Sequence, residues 1–399
     1  MYQIKEFDNL IDLLEELDRE GISGQRRQEI YKRYLNFLAR MKGQVYSGGF
    51  ELTPLCNFNC KMCYVHLSKE QMQGELLITE QWIDIMAQAV DAGMLHADLT
   101  GGECLSYPGF REVYLYLRSR GVEVSVLTNG QLITEDMADF FAKYPPSVVQ
   151  ITVYGSDNDA YEAVTGHRAF DDVKAAIERL KKRNIRIFLP ITPNRYMQED
   201  THALLEFLRS MNVRYGIGTG SLPARPDTGR QLSQYAPETE LYVRLHQDEQ
   251  EYRRSLEQPA LAEKPAFVDY VPMGFRTRSK IPCSSGQCAF HINWRGEMSP
   301  CIPFHTVNRS VLEYGFRDCW EWIKAQMETY TLPEECEVCA NRTVCVSCPA
   351  ERTAGVLNGR VNNAVCDRYE QYVRAGILLL PAQNECILTK EGDSFEKTL

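Results

Sequence analysis

Residues 51–64 read ELTPLCNFNCKMCY. Cys56, Cys60 and Cys63 stand there in the spacing C-x3-C-x2-C, and the aromatic Tyr64 directly follows the third cysteine. Three thiolates on one short loop do not complete a four-ligand tetrahedral site, but they can hold three irons of a [4Fe–4S] cube and leave the fourth iron open to a small molecule. A zinc site is the alternative interpretation, because C-x2-C pairs are frequent zinc ligands.

The loop resembles the cluster loop of the radical S-adenosylmethionine (SAM) enzymes. In that family the open iron binds the amino and carboxylate groups of SAM. The reduced cluster then cleaves SAM to a 5'-deoxyadenosyl radical, which takes a hydrogen atom from the substrate. The resemblance therefore implies a SAM-binding [4Fe–4S] cluster on Cys56, Cys60 and Cys63.

Composition narrows the class of protein. The 399 residues predict one large domain and a smaller one, and the net charge of -10 argues against a nucleic-acid partner held through its phosphates. The first twenty residues lack a cationic start followed by an apolar run, and no stretch approaches ~18 uninterrupted apolar residues. We therefore expect neither a secretory signal nor a membrane span.

Fourteen cysteines without such a signal favour metal binding over disulfides, in a reducing, anaerobic cytoplasm.

Residues 48 to about 220 alternate short β-rich runs with amphipathic stretches, which predicts an α/β fold with a parallel sheet. The active site of such a sheet lies at the carboxyl ends of its strands, and the cysteine loop follows the first of them. The family resemblance adds a partial (β/α)6 TIM-type barrel. The predicted strands are Gly49–Leu52, His96–Thr100, Val122–Thr128, Val148–Tyr154, Arg186–Thr192 and Arg214–Thr219, and the predicted helices are Thr79–Ala92, Phe110–Arg120, Glu135–Tyr144, Phe170–Lys182 and Glu199–Met211.

Three strand ends carry candidate SAM-binding residues. Gly101, Gly102 and Glu103 follow the second strand and resemble the family's GGE motif, whose backbone and carboxylate bind the amino group of SAM. Asn129, in a Thr-Asn-Gly triplet at the third strand end, is implied to hydrogen-bond near the SAM ribose, although a turn role alone explains an asparagine there. Thr152 stands where relatives show S-x-D-G; this chain departs from that pattern, and Thr152 offers its hydroxyl to the ribose.

Four further residues near these strand ends have two interpretations each. Cys104 occupies the usual proline position of the family motif, and we favour a small buried thiol over a reactive group at the SAM pocket. His167 is either a proton-transfer group or, as is commoner for a lone loop histidine, has no such role. Arg225 and Arg230, on the loop after the sixth strand, either meet a substrate carboxylate or stay solvated, which is the usual state of such arginines.

The N-terminal segment predicts two amphipathic helices, Leu10–Arg19 and Gly24–Met41. Many peptide-modifying relatives carry a winged-helix module for leader docking at this end. This segment is shorter than that module and shows no strand pattern, so we favour helices that pack against the barrel. A charged helix from Glu238 to about Glu257 is predicted in the region that follows the barrel.

Cysteine density rises past residue 280. Eight of the ten cysteines there, all but Cys319 and Cys386, make up the number that two fully ligated [4Fe–4S] clusters require. Their order resembles the SPASM domain, the C-terminal extension of radical SAM enzymes that act on peptides and proteins, except that Cys345 and Cys348 are one residue closer than usual. The resemblance assigns one auxiliary cluster to Cys283, Cys301 and Cys348, with Cys288 as a plausible fourth ligand, and the other to Cys336, Cys339, Cys345 and Cys366. A pair of zinc knuckles is the alternative, while Cys104, Cys319 and Cys386 receive no metal.

These assignments divide the chain and name its cofactors. Three [4Fe–4S] clusters and SAM are implied, with an electron donor such as flavodoxin or ferredoxin. The predicted parts are an N-terminal helical segment at 1–47, the radical SAM partial barrel at 48–222, a bridging helical region at 223–280, the SPASM domain at 281–375 and a C-terminal tail at 376–399.

The implied substrate is a peptide or protein side chain. The first hypothesis is maturation of a ribosomal peptide through a thioether or carbon–carbon cross-link. The second is anaerobic sulfatase maturation to formylglycine, which ranks lower because relatives of that type have an aspartate base directly after the counterpart of Cys301, where this chain has Ile302. The third is a small-molecule or cofactor-pathway enzyme. A non-enzymatic electron carrier or zinc-binding interaction protein is disfavoured by the GGE motif and the strand–helix alternation.

Overall fold

The structure is a computed structural model that describes residues 2–197, 201–218, 222–231, 234–256, 267–273, 283–341, 345 and 347–376. Several predicted features fall outside these ranges. They are the start of a helix at Glu199, the end of a strand at Thr219, the end of a helix at Glu257, Cys386 and all of the tail beyond residue 376.

The described residues form short strands and helices between residues 2 and 374. The strands are β1 Tyr2–Phe7, β2 Ser47–Glu51, β3 His96–Thr100, β4 Glu123–Thr128, β5 Val148–Ile151, β6 Ile187–Ile191, β7 Arg214–Ile217, β8 Phe267–Pro272, β9 Ala289–Ile292, β10 Glu297–Ser299 and β11 Arg309–Ser310. The helices are α1 Leu10–Arg19, α2 Gly24–Lys42, α3 Thr79–Asp91, α4 Phe110–Ser119, α5 Glu135–Lys143, α6 Asn158–Thr165, α7 Phe170–Lys182, α8 Thr201–Ser210, α9 Thr239–Leu256, α10 Val311–Tyr314, α11 Phe316–Glu328, α12 Glu334–Glu337, α13 Pro349–Arg352 and α14 Asn363–Arg374.

Strands β2 to β7 lie side by side in chain order, and every adjacent pair of them is parallel. Helices connect these strands, as the right-handed crossovers of a parallel sheet require. Each helix buries one face. In α3 the buried side chains Trp82, Ile85, Met86 and Ala89 recur at intervals of three and four residues. The α/β prediction is confirmed, and the carboxyl ends of the strands gather at one edge of the sheet.

The cysteine-rich region continues this same sheet. β9 pairs in parallel with β2, and β10 and β11 follow it in antiparallel order. The Phe290 ring lies edge-on to Phe50 with ring centroids 5.7 Å apart, and a Cβ at Gly48 would lie 2.3 Å from the same ring. Gly48 is therefore required for the two strands to pack. The predicted boundary at residue 280 does not break the sheet.

The N-terminal segment contains a strand that the sequence analysis missed. β1 pairs in parallel with β8, so the prediction of two helices without strands is wrong, whereas α1 begins and ends at the predicted residues. The helices bury a small core of Leu13, Leu17 and Tyr34. The partner strand of β1 lies far along the chain, and a local pattern cannot reveal such a pairing.

The segment also contacts the amino-terminal edge of the main sheet. Lys32 of α2 forms an ion pair with Glu123 at 2.6 Å, and the Tyr46 hydroxyl donates to the Lys32 carbonyl oxygen at 3.2 Å. Helix α6 was also missed by the sequence analysis. No helix in the described ranges has both the length and the apolar character needed to cross a membrane.

Candidate functional site

The cysteine loop leaves the carboxyl end of β2 and is held by backbone contacts to the end of β3. Gly102 N–H donates to the Thr53 carbonyl oxygen at 2.7 Å, and Glu103 N–H donates to the Leu55 carbonyl oxygen at 2.9 Å. A Cβ at Gly101 would lie 2.6 Å from the Thr53 oxygen, and one at Gly102 would lie 2.3 Å from the Leu55 oxygen. The two glycines predicted to serve SAM are therefore required first by the cysteine loop itself.

Glu103 joins several strand ends through its carboxylate. Its oxygens accept hydrogen bonds from Asn129 N–H at 2.8 Å, Thr128 Oγ1 at 2.8 Å and Leu105 N–H at 3.0 Å. Burial raises the pKa of Glu103, and these hydrogen bonds oppose that rise. The Cys104 thiol lies 3.9 Å from Glu103 Oε1 as a further donor, so protein groups already match the roughly four acceptor positions of this buried carboxylate.

Asn129 contacts the cysteine loop directly. Its Nδ2 donates to Asn57 Oδ1 at 2.7 Å and approaches Cys56 Sγ at 3.6 Å. Its Oδ1 accepts from Gln131 N–H at 3.0 Å, which is the turn role considered for this residue. The structure thus adds an unexpected thiol contact, since Asn129 and Cys56 belong to different strand ends.

The three loop cysteines lie together at the edge of the sheet. Burial raises the pKa of Cys56 to about 12 and that of Cys60 well above its ordinary value, and in both cases the neighbouring loop thiols add to the rise. Phe58 N–H donates to Cys56 Sγ at 3.3 Å, and His66 N–H donates to Cys63 Sγ at 3.2 Å. Such N–H donors suit thiolate ligands, and a bound metal supplies the charge that deprotonates buried thiols. The residues present therefore fit an iron–sulfur cluster.

Two aromatic contacts surround the loop and were not expected from the sequence. The Tyr154 hydroxyl hydrogen-bonds Cys60, and its ring packs edge-on against Tyr161 with centroids 5.9 Å apart. The His167 ring stacks on Phe58 at 5.5 Å, which gives this histidine a packing role. The predicted SAM ligand Thr152 is half-buried just past the end of β5, two residues before Tyr154.

Residues 222–231, the bridging loop, clamp the cysteine loop with two arginines. Arg225 is buried, and its Nη1 donates to both carboxylate oxygens of Glu51, at 2.9 and 2.8 Å. The expectation of a solvated Arg225 is therefore wrong. Burial raises the pKa of Glu51 to about 7, although Arg225 opposes the rise. Arg230 donates to the Cys63 carbonyl oxygen at 2.7 Å and to Asn59 Oδ1 at 3.2 Å.

The C-terminal cysteines lie in two sets. The first auxiliary set is Cys283, Cys301 and Cys348, and the second auxiliary set is Cys336, Cys339, Cys345 and Cys366. In the first auxiliary set, burial raises the pKa of Cys301 to about 12, and Cys283 and Cys348 add to the rise. In the second auxiliary set, burial raises the pKa of Cys366, and the other three cysteines add to that rise.

The remaining described cysteines have protein partners. Cys288 is buried against α2, where its Sγ accepts from Asn36 Nδ2 at 3.5 Å, so its predicted role as a cluster ligand competes with this contact. Cys104 is a buried thiol that donates to the Leu127 carbonyl oxygen at 3.2 Å. Cys319 is buried in α11 and donates to the Ser310 carbonyl oxygen at 3.3 Å.

Comparison with known proteins agrees with this site. The profile of the Radical SAM superfamily matches residues 50–208. The PqqA peptide cyclase of Streptomyces rochei is 31% identical over 310 residues, which cover 73% of this chain and 80% of that protein. The sporulation killing factor maturation protein SkfB of Bacillus subtilis is 28% identical over 157 residues, or 39% of this chain; the match spans only 38% of SkfB.

A solved structure shares the fold over nearly the whole chain. Streptococcus suis SuiB bound to the precursor peptide SuiA superposes with a TM-score of 0.64 at 15% identity, covering 89% of this chain and 88% of that one. The profile match includes the cysteine loop and the strand ends that hold it. The chain belongs to the radical SAM superfamily of enzymes.

Proposed function

We propose that this chain is a radical SAM/SPASM enzyme that abstracts hydrogen from a peptide or protein side chain and matures a ribosomal peptide by forming a thioether or carbon–carbon cross-link. One observation carries the proposal. The C-terminal third holds two separate thiol sets in addition to the cysteine loop, and both agree with the ligand sets expected of two auxiliary clusters. The six parallel strands would form the partial barrel that carries the first cluster.

The cofactors, when bound, supply hydrogen-atom abstraction and electron transfer. The protein holds the reacting groups and excludes water. Cys56, Cys60 and Cys63 would hold the loop cluster. Gly101 and Gly102 let that loop lie against β3, and Glu103, Asn129 and Thr152 are our SAM-binding residues.

The peptide substrate is supported by the relatives. One is named a peptide cyclase, one a maturation protein, and the SuiB structure is named as bound to a precursor peptide. We extend this substrate class to the present chain, with flavodoxin or ferredoxin as electron donor in a reducing cytoplasm. Formylglycine formation ranks lower because Ile302 has no group that accepts a proton.

Metal content tests the cofactor assignment. After anaerobic reconstitution we expect about twelve irons per chain, at four per cube, and about eight in a Cys56/Cys60/Cys63→Ala variant. Sulfide and zinc are measured on the same samples. Stoichiometric zinc with little iron in the variant would contradict the proposed redox role of the C-terminal cysteine sets. An iron content in the variant equal to that of the parent would refute the proposed loop cluster.

Turnover tests the substrate class. The reduced enzyme is incubated with SAM and a cysteine-bearing peptide encoded beside its gene, and products are followed by mass spectrometry. We expect 5'-deoxyadenosine and a peptide that is lighter by two hydrogen atoms and retains its sulfur. Loss of sulfur with gain of an aldehyde would favour formylglycine formation instead. SAM cleavage that no peptide stimulates would contradict the peptide-maturation proposal.

A further inference from the structure

A buried arginine lies beside the second auxiliary set. Arg352 ends the short helix α13 and is 8% exposed. Its Nε donates to Ser347 Oγ at 3.0 Å, and its Nη2 donates to the Ser347 carbonyl oxygen at 3.1 Å. Ser347 itself is 2% exposed. Two oxygens of one buried residue therefore hold the planar guanidinium in a single orientation.

The serine extends this contact to a cysteine of the set. Ser347 Oγ lies 3.1 Å from Cys345 Sγ. A guanidinium nitrogen can only donate, so it uses an acceptor position of the hydroxyl and leaves the hydroxyl hydrogen for another partner. A cysteine that binds a metal is a thiolate and can only accept. When Cys345 binds iron, the hydrogen bond therefore runs from the Ser347 hydroxyl to the sulfur.

Arg352 has no carboxylate partner in the described part of the chain, where the neighbouring Glu351 pairs with Arg368 instead. A buried charge is costly unless an opposite charge lies close to it. The thiols of the second auxiliary set can supply that charge. Burial raises the pKa of Cys336 and of Cys366, and the positive charge of Arg352 opposes the rise in both. The residues present therefore fit an anionic iron–sulfur cluster.

We propose that Arg352 and Ser347 raise the reduction potential of the cluster on the second auxiliary set, an inference that rests on the proposed function. Ser347 donates to the sulfur of Cys345, and Arg352 polarises that hydroxyl and places a positive charge beside the thiolates. Hydrogen bonds to the sulfurs and nearby positive charge both stabilise the form of a cluster that carries one more electron. The pair therefore makes this set easier to reduce than its cysteines alone would.

A redox titration of the anaerobically reconstituted full chain, followed by electron paramagnetic resonance, tests the hydrogen bond. The signal of the second auxiliary set is the one that a Cys336/Cys339→Ser variant lacks. In Ser347→Ala we expect this signal to persist while the equilibrium constant for its one-electron reduction falls about tenfold, which is ~59 mV. An unchanged potential would overturn the proposal.

The matched control is Ser125→Ala. Ser125 is a buried serine of β4 whose hydroxyl lies 3.2 Å from His96 Nε2. Its loss also removes a buried hydroxyl, so we expect the potential of the second auxiliary set to stay at the parent value. A fall equal to that of Ser347→Ala would contradict a specific contact with Cys345.

Two variants of Arg352 separate charge from packing. Arg352→Met removes the guanidinium, and we expect the potential of the second auxiliary set to fall. Arg352→Lys keeps a positive charge on a long side chain, and we expect it to recover part of that fall. Equal potentials in the two variants would contradict the electrostatic role of Arg352.

Iron content distinguishes a failure of this inference from a failure of the proposed function. If Cys336/Cys339→Ser retains all the iron of the parent, the assignment of a cluster to the second auxiliary set fails, and the inference fails with it. If that variant loses about four irons per chain while Ser347→Ala keeps the iron and the potential of the parent, only the inference fails.

Discussion

Gly102 shows how one missing side chain holds the site together. Its N–H donates to the Thr53 carbonyl oxygen. A Cβ at this position would lie 2.3 Å from the Leu55 carbonyl oxygen, so only hydrogen fits there. Real Cβ atoms do not approach oxygen so closely, so any side chain here displaces the cysteine loop. The requirement is one of packing between two strand ends and precedes any contact with a cofactor.

We therefore expect Gly102→Ala to lose the loop cluster and keep the other iron. Iron should fall by about four atoms per chain, the content of one cube, while the chain remains folded. The control is Gly121→Ala, at a glycine with φ +76° and open space around its Cβ, which strains the backbone without touching the loop. Full iron content in Gly102→Ala would show that the loop can move without losing its ligands.

The sequence proposes the ligand sets, but it does not reveal their surroundings. The proposed ligands Cys56, Cys60 and Cys63 are close in sequence, so their spacing alone suggests a cluster. The contacts of Asn129 with Cys56 and of Arg230 with Cys63 join residues far apart in the chain. No local pattern contains such contacts. The expectations were therefore limited to a SAM-ribose contact or a turn role for Asn129, and to a substrate carboxylate or solvent for Arg230.

At the scale of secondary structure, α2 is fixed to the sheet by a charged cluster at the amino-terminal ends of β3 and β4. His96 Nε2 lies 3.0 Å from Asp98 Oδ1, and Lys32 pairs with Glu123. Burial lowers the pKa of His96, but its hydrogen bonds to Asp98 and Glu123 outweigh that effect and raise the pKa to about 9. The charged imidazole therefore stabilises the folded state.

The raised pKa predicts a specific loss of stability at alkaline pH. A histidine whose folded pKa exceeds its unfolded value of 6.5 contributes fully below pH 6.5, and that contribution disappears as the pH rises to about 9. We expect the parent to lose ~1–2 kcal/mol over this window relative to His96→Asn, after allowance for solvent screening. The check is unfolding stability against pH for both proteins. Parallel curves would show that His96 is not charged in the fold.

Local patterns located the central strands and helices but not all of their neighbours. Each of the six predicted strands overlaps one of β2 to β7, because buried strands and amphipathic helices have distinct periods. The strands Val148–Tyr154 and Arg186–Thr192 were predicted too long, since strand ends depend on ladder partners. β1 was missed for the same reason, as its stability derives from β8.

Across the whole molecule, the three cysteine sets differ in their access to solvent. Cys339 and Cys366 of the second auxiliary set are exposed, whereas Cys60 of the loop is buried. Oxidation of thiolate ligands follows exposure. The set nearest the surface is therefore the one most readily attacked by oxygen.

We expect iron to be lost first from the second auxiliary set when the reconstituted protein is exposed to air. The early phase should release about four irons per chain. It should be absent from a Cys336/Cys339→Ser variant, which lacks that cluster from the start. The measurement is iron retained against time for both proteins. An early phase of equal size in the variant would place the labile cluster elsewhere.

The pairing of β9 with β2 has a consequence for synthesis on the ribosome. β2 is made early, but its outer neighbour is the strand at residues 289–292. A nascent chain that has reached only residue 280 therefore presents β2 as an open strand edge, and Phe50 lacks its contact with Phe290. Such edges pair with other chains. We therefore expect that strands β2 to β7 do not fold autonomously, and that a chain truncated at residue 280 aggregates where the full chain completes its sheet.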